Sequence, residues 1–441
     1  MTHSRTFDGF MSRLDSLGLF HMDLTLDRMA AFVKRAGRPR FPVLHVVGTN
    51  GKGSTATILA ELLRAHGLRV GLYTSPHFIS VRERVLVDGA MLSEDAWARL
   101  GFEALRQSEG LGLTYFELLT AFAVLAFTDA KCDVAVMEAG LGGRLDATNV
   151  LEPALTVFTP IGLDHMNVLG STLAEIAADK AGAMRPGGLA ICAHQEPEAR
   201  EVLRRVAGET GAELVGVGEV LSYSRARGRV APAARGRVFV PHMTGLFLSL
   251  PGLHQQDNAR LALAAFALWA ARMRLPIIEE ACCSAFACAF IPGRMQRVPA
   301  GAGLPELILD GGHNAHGLAA LKASLEAEAI RPAAVVFGCL RDKPLKAMLP
   351  LVRALTDGTV YATGIPGCPR ACEPRELAAL LGPGAVPAAD VHAALDLCAG
   401  AAGSGPDGTV LVGAGPVLVC GSLYLLGEFY TRHTGLLERP E

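Results

Sequence analysis

Short apolar runs alternate with amphipathic stretches along this chain, the pattern of βαβ units built around a parallel sheet. The runs at 43–47, 70–73, 134–137, 155–158 and 189–192 predict strands. Between them lie helices such as 55–65, which sets Ile58, Leu59, Leu62 and Leu63 on one face and stops at Gly67. The segment 222–241 alternates Arg with small residues and predicts an exposed hairpin or excursion. The rhythm breaks at 291–303, where Pro292, Gly293, Pro299, Gly301 and Gly303 cluster. It then restarts with strand-like runs at 306–309, 333–337, 359–362 and 417–420. The expected organisation is therefore α/β throughout: a first domain over 1–291, a linker over 292–303 and a smaller second domain over 304–441.

Composition narrows the partners. Half of the 441 residues are hydrophobic and 19% are charged, enough to bury large cores and unlike a disordered chain. A formal charge of −2 gives no electrostatic pull towards nucleic acid or anionic membrane, so an anionic substrate has to be gripped locally. Residues 1–10 lack the apolar stretch of a secretory signal, and the apolar run 261–271 is far short of the ~20 residues of a membrane span. Ten cysteines occur without CxxC pairs or histidines at zinc spacing, which points to reduced thiols and a cytoplasmic setting.

Candidate chemistry sits where strands end. Gly48-Thr49-Asn50-Gly51-Lys52-Gly53-Ser54 joins a strand to a helix, so backbone N–H groups and the helix N-terminus can cradle phosphates, with Lys52 as a point charge. It departs from the common P-loop spacing, and a plain Gly-rich βα turn is the competing reading. Ser75, Glu138 and His165 follow three predicted strands; a hydroxyl, a carboxylate and an imidazole there suit a hard cation bridging nucleotide phosphates. Thr172 and Glu175 form a capping box for a helix whose apolar stripe contains Lys180, four residues after Ile176. Either Lys180 snorkels to water, or its amine is buried and adds CO2 to become a carbamate facing a metal. Thr114-Tyr115-Phe116-Glu117 matches a second capping box, and 141–149 is a Gly-rich loop in which Arg144 and Asp146 offer charge or merely make a turn. Asp23 either accepts hydrogen bonds from a ligand or caps the helix that carries Leu26 and Met29. In the second domain, Asp310-Gly311-Gly312-His313-Asn314 ends a strand and opens a helix.

Together these blocks resemble the folylpolyglutamate synthase and dihydrofolate synthase family, within the Mur-ligase-like amide-forming enzymes. The resemblance spans about 23–422 and rests on GTNGKGS (48–54), TSPHF (74–78), TYFE (114–117), EAGLGGRLDATN (138–149), GLDH (162–165), DKAG (179–182), PGRMQ (292–296) and DGGHN (310–314). Gly312 and Ala315 stand where the family commonly has alanine and proline, and Asp179 where it commonly has glutamate. The resemblance implies an N-terminal Mur-ligase-like P-loop ATPase domain and a C-terminal Rossmann-like domain. It implies ATP on Gly51, Lys52, Gly53 and Ser54, completed by Asn258, Arg294 and Asp310, with Mg²⁺ at Ser75, Glu138 and His165. Pterin contacts are implied at Met22, Asp23 and Leu24, at Thr114, Tyr115, Phe116 and Glu117, and at Leu145, Asp146 and Ala147. Lys52, Lys180 (carbamylated), His165 and His313 are the implied catalytic groups. The activity it implies is joining glutamate to dihydropteroate, and later to reduced folates, in a monomer.

Overall fold

The computed structural model describes residues 5–18, 23–224, 227–233, 240–301, 303–400, 403–404, 410–411 and 415–439. They cluster into two compact units, the second comprising Leu163–His165, Ser249–Gln256 and Phe290–Glu441. A boundary at 291 assigns the two short segments to the first domain; their contacts group them with the second.

The first unit is built on an eight-stranded sheet. Its strands are β1 (Val43–Val47), β2 (Val70–Tyr73), β3 (Val85–Val87), β4 (Ala90–Met91), β5 (Val134–Glu138), β6 (Leu155–Phe158), β7 (Leu189–Cys192) and β8 (Glu213–Gly216), in the order β4-β3-β2-β5-β1-β6-β7-β8. From β2 to β8 every pairing is parallel; β3 and β4 are an antiparallel edge hairpin. Strands β1, β2, β5, β6 and β7 are buried along their whole length, as a parallel sheet covered on both faces requires, which is why they read as mainly apolar runs, with His45, Glu138 and Thr156 as buried polar exceptions. The helices supply the cover. The helix Tyr115–Asp129 buries most of its length, and Phe122 stacks on Trp97 with centroids 3.9 Å apart. Part of the 222–241 segment is a hairpin: β9 (Leu221–Ser224) pairs antiparallel with β10 (Arg229–Pro232).

The second unit has a six-stranded sheet. Its strands are β11 (Gln296–Val298), β12 (Leu307–Asp310), β13 (Ala334–Phe337), β14 (Thr359–Thr363), β15 (Ala385–Ala388) and, after the two-residue strands β16 (Gly403–Ser404) and β17 (Val410–Leu411), β18 (Val417–Cys420). The order is β11-β12-β18-β13-β14-β15, with only β11 antiparallel. The carboxyl ends of β12, β18 and β13 are adjacent, which gathers the loops that follow them.

Candidate active site

The loop after β1 enters the helix Lys52–Ala65 through Gly51, whose φ of 81° is open to glycine at little cost and which no side chain caps. The loop is held from the side: Thr49 and Asn50 donate their N–H groups to Pro160 O at 3.0 and 3.2 Å. Asn258 packs so closely on Gly51 that a Cβ there would collide with its amide. Lys52 Nζ donates to Thr49 O at 3.2 Å, folding back over the turn, and Ser54 is buried. The turn thus presents a helix N-terminus with a lysine beside it, the arrangement that favours an anion.

Glu138 closes β5 next to β2, and its Oε2 accepts the Ser75 N–H at 3.0 Å. A Cβ on Gly53 would stand 3.5 Å from that same oxygen, so the carboxylate lies against the first turn of the phosphate-loop helix. Ser75 and Glu138 are therefore brought together. His165 belongs to the segment grouped with the second unit; its φ is 51° and its N–H donates to Asp164 Oδ1 at 2.9 Å. Among the described residues no group of three or more His, Cys, Asp or Glu converges as an ion site. Oxygen donors of this kind fit Mg²⁺, which binds through one or two carboxylates and takes its remaining ligands from phosphate and water.

Lys180 does not snorkel. It is 4% exposed, and its Nζ donates to the Gly48 carbonyl at 2.9 Å, beneath the start of the phosphate loop. The Thr172–Glu175 capping box forms as the sequence predicts and fixes the helix Leu173–Ala181. The neighbouring Asp179 accepts the Gly143 N–H at 3.0 Å, docking the 141–149 loop on this helix. Within that loop Asp146 is buried, and its carboxylate takes Leu141 N at 2.8 Å, Thr148 N at 3.0 Å and Thr148 Oγ1 at 2.5 Å. Burial raises its pKa above the ordinary value, against the lowering effect of these bonds. Behind Thr148 stands a residue that spacing did not single out: His45, on β1, meets its Oγ1 at 2.7 Å through Nε2.

Of the pterin candidates, Met22 lies outside the described residues. Asp23 does not cap the following helix: Asp27–Ala36 begins after Leu26 with no side-chain cap. Instead Asp23 pairs with Arg28, which also reaches Glu117. The Thr114–Glu117 capping box is present, with Tyr115 and Glu117 buried and the Phe116 ring 5.8 Å from that of Tyr73. Leu24 is exposed; Leu145 and Ala147 flank the buried Asp146.

In the second unit, Asp310 ends β12 and accepts Gly312 N at 2.8 Å and Met295 N at 3.0 Å. Arg294 lies against Gly311, where a Cβ would clash with its guanidinium. His313 Nδ1 meets Gly311 O at 2.8 Å, and Asn314 Oδ1 caps the helix Ala315–Ala327 through Gly317 N. Spacing gave no hint of what lies beneath. The carboxylate of Asp164 receives Lys343 Nζ at 2.6 Å and Asn314 Nδ2 at 3.0 Å, with His313 Nε2 at 3.5 Å. Burial alone would raise the pKa of Asp164; the hydrogen bond from His313 and the charge of Lys343 outweigh it and hold the carboxyl well below the usual range. Asp164, His313 and Asn314 lie in motif blocks, but for Lys343 the sequence signal was only the charged loop Arg341-Asp342-Lys343, just past an apolar strand.

The likeness to known proteins spans the same regions. The Mur ligase middle domain matches residues 46–266 and the Mur ligase glutamate ligase domain matches 293–415. The dihydrofolate synthase/folylpolyglutamate synthase of Bacillus subtilis is 36% identical over 352 residues, 77% of this chain and 80% of that protein. The Escherichia coli protein of the same name is 36% identical over 380 residues, 85% of each. The structure of E. coli FolC in complex with DHPP and ADP superimposes with a TM-score of 0.84 at 31% identity, covering 99% of both chains. A Yersinia pestis bifunctional folylpolyglutamate synthase/dihydrofolate synthase complexed with AMPPNP and Mn ion gives 0.84 at 30% identity, covering 98% of this chain and 99% of that one. On this identity and coverage, the chain belongs to the dihydrofolate synthase/folylpolyglutamate synthase family of Mur ligases.

Proposed function

We propose that this chain is an ATP-dependent ligase that joins glutamate to dihydropteroate and adds further glutamates to reduced folates through an acyl phosphate. The observation that supports the reading best is the uncapped helix N-terminus at Gly51, with Lys52 above it and the Ser75–Glu138 pair against Gly53. A carboxylate is a poor acyl donor until its oxygen becomes a phosphate. The negative charge on a transferring phosphoryl group is offset by N–H dipoles and a lysine already in position. In this reading ATP is held by Gly51, Lys52, Gly53, Ser54 and Asn258 of the first unit and by Arg294 and Asp310 of the second. Ser75, Glu138 and His165 would hold Mg²⁺, which supplies further charge neutralisation on the phosphate oxygens when bound.

The remaining roles follow from burial and charge. Lys180, almost wholly buried, is suited to take up CO2 as a carbamate, because burial favours the neutral amine that attacks CO2 and sheds a proton, leaving an anion that a metal would offset. His313, oriented by the Gly311 carbonyl and Asp164, is assigned to the incoming glutamate and its reaction. Asp23, Leu24, the 114–117 turn and Leu145–Ala147 are assigned to the pterin end of the substrate, with Met22. Asp146 contributes there through the shape of its loop, since its carboxylate is committed within that loop. We assign the enzyme to the cytoplasm as a monomer; no described helix is long and apolar enough to cross a membrane.

Mass spectrometry of products tests the proposal. Incubation with dihydropteroate, or separately tetrahydrofolate, plus ATP, Mg²⁺ and glutamate should give the substrate extended by glutamate. Phosphate release that is the same with and without glutamate, and yields no extended product, would refute it.

A further inference from the structure

One guanidinium joins two parts of the proposed pterin seat that lie far apart in sequence. Arg28 Nε donates to Glu117, 3.0 Å from Oε2 and 3.2 Å from Oε1. Its Nη1 donates to Asp23 Oδ2 at 2.5 Å, and its Nη2 to the main-chain oxygen of Asp23 at 2.7 Å. Side chain and main chain of Asp23 are thus gripped by one rigid planar fork, which the single point charge of a lysine does not reproduce.

The two carboxylates differ in what remains to them. That of Glu117 is 5% exposed and also takes the Thr114 N–H at 2.8 Å, so it is spent on structure. The Asp23 side chain is 57% exposed, and Arg28 engages only its Oδ2. Its Oδ1 remains an acceptor whose orientation is already set. An acceptor fixed before binding loses less rotamer entropy when a ligand arrives, and a lone carboxylate on a chain segment ahead of a helix would have to be ordered at that moment.

We infer that Arg28 is a positioning residue for the pterin-bearing substrate: by anchoring Asp23 to the 114–117 turn, it presents Asp23 Oδ1 to the N–H donors of a 2-aminopterin ring. This rests on the pterin seat assigned above. Arg28 itself need not touch the substrate; it acts through Asp23.

The test measures KM and kcat separately for dihydropteroate, ATP and glutamate. The variants are Arg28→Lys, Arg28→Ala, Asp23→Ala and the Asp23→Ala/Arg28→Lys double variant, each checked by thermal unfolding. Arg28→Ala leaves Glu117 buried without its cation and can fail to fold; Arg28→Lys keeps the charge and carries the test. Arg28→Lys should raise KM for dihydropteroate by about tenfold, on the order of one charge-assisted hydrogen bond, with KM for ATP and glutamate unchanged. In the Asp23→Ala background, replacing Arg28 by lysine, which keeps a cation beside Glu117, should add no further increase, because the residue it positions is gone. A wild-type KM for dihydropteroate in Arg28→Lys, when Asp23→Ala raises it, overturns the inference and leaves the pterin seat standing. Effects that multiply in the double variant also overturn it, since Arg28 then acts independently of Asp23. If Asp23→Ala leaves KM for dihydropteroate unchanged, the pterin seat itself is misassigned and the inference falls with it.

Discussion

The two units each contain a buried parallel strand that runs through a glycine-rich turn into a helix, yet the turns are finished in opposite ways. After β1, the helix Lys52–Ala65 starts at Gly51 in left-handed geometry with no side-chain cap. After β12, the helix Ala315–Ala327 starts at Asn314, whose Oδ1 accepts Gly317 N at 2.8 Å, while Asp310 takes Gly312 N and Met295 N. A helix N-terminus with no side-chain cap favours an external anion; one capped by its own side chains has satisfied part of that demand internally. The same motif grammar therefore yields a cradle in one unit and a scaffold in the other, where the useful groups are the side chains it displays.

The contrast breaks most easily at Lys52. Lys52→Ala removes the point charge from the first turn while sparing the buried positions of the helix. Turnover should fall by about 10²- to 10³-fold, the usual loss when one electrostatic partner of a transition state is removed. Thermal unfolding of the unliganded protein should stay close to wild type. Steady-state kinetics with ATP as the varied substrate decides it; a loss under threefold would mean that the turn is structural in both units.

A smaller effect sharpens the comparison through the strands themselves. β1 carries His45, which is fully buried, meets Thr148 and is pushed down to about 3 by burial, with Arg185 adding to the shift. The native protein holds this imidazole neutral, whereas the unfolded chain protonates it below its ordinary value of 6.5. Stability contributed in this way is complete above pH 6.5 and is lost as pH falls from 6.5 towards 3. Between pH 7 and pH 5 the wild type should lose about 2 kcal/mol more than His45→Gln. Denaturant midpoints at the two pH values measure it, and equal losses in the two proteins would remove His45 from the acid response.

How much of this was visible in the sequence depended on distance along the chain. The strands β1, β2, β6 and β7 could be read to the residue because burial on both faces makes them predominantly apolar, with the buried His45 and Thr156 as polar exceptions. The β3–β4 hairpin went unread although Asp88-Gly89, both at positive φ, signalled its turn; the strands are too short to show a period. β15 has an exposed middle and Pro387, so no apolar run marks it. The apolar stripe left Lys180 between burial and snorkelling and could not reveal its partner, Gly48, which is 132 residues away. The Asp164–Lys343 pair spans 179 residues, beyond any spacing rule, and only the fold brings it together. Arg28 lay unnoticed because an arginine early in an amphipathic helix is ordinarily solvated.

The smallest expected effect concerns the second turn and tests whether its cap is only structural. Asn314 is fully buried; among its interactions, Oδ1 caps the helix Ala315–Ala327 and Nδ2 donates to Asp164 Oδ2 at 3.0 Å. Asn314→Ala removes both, and an N-cap is worth about 1 kcal/mol. Asp164 keeps Lys343 at 2.6 Å, so no carboxylate is left without a cation. The expected outcome is a loss of about 1 kcal/mol in urea unfolding, with KM for ATP within a factor of two of wild type. Asn314→Asp separates the two duties: it retains the cap oxygen but sets a carboxylate against Asp164, so it should destabilise more than alanine despite its better cap. Were Asn314→Asp as stable as wild type, the cap alone would account for this residue and the bond to Asp164 would be incidental. A large rise in KM for ATP in Asn314→Ala would show instead that the second turn also grips phosphate, and the distinction between the two turns would fail.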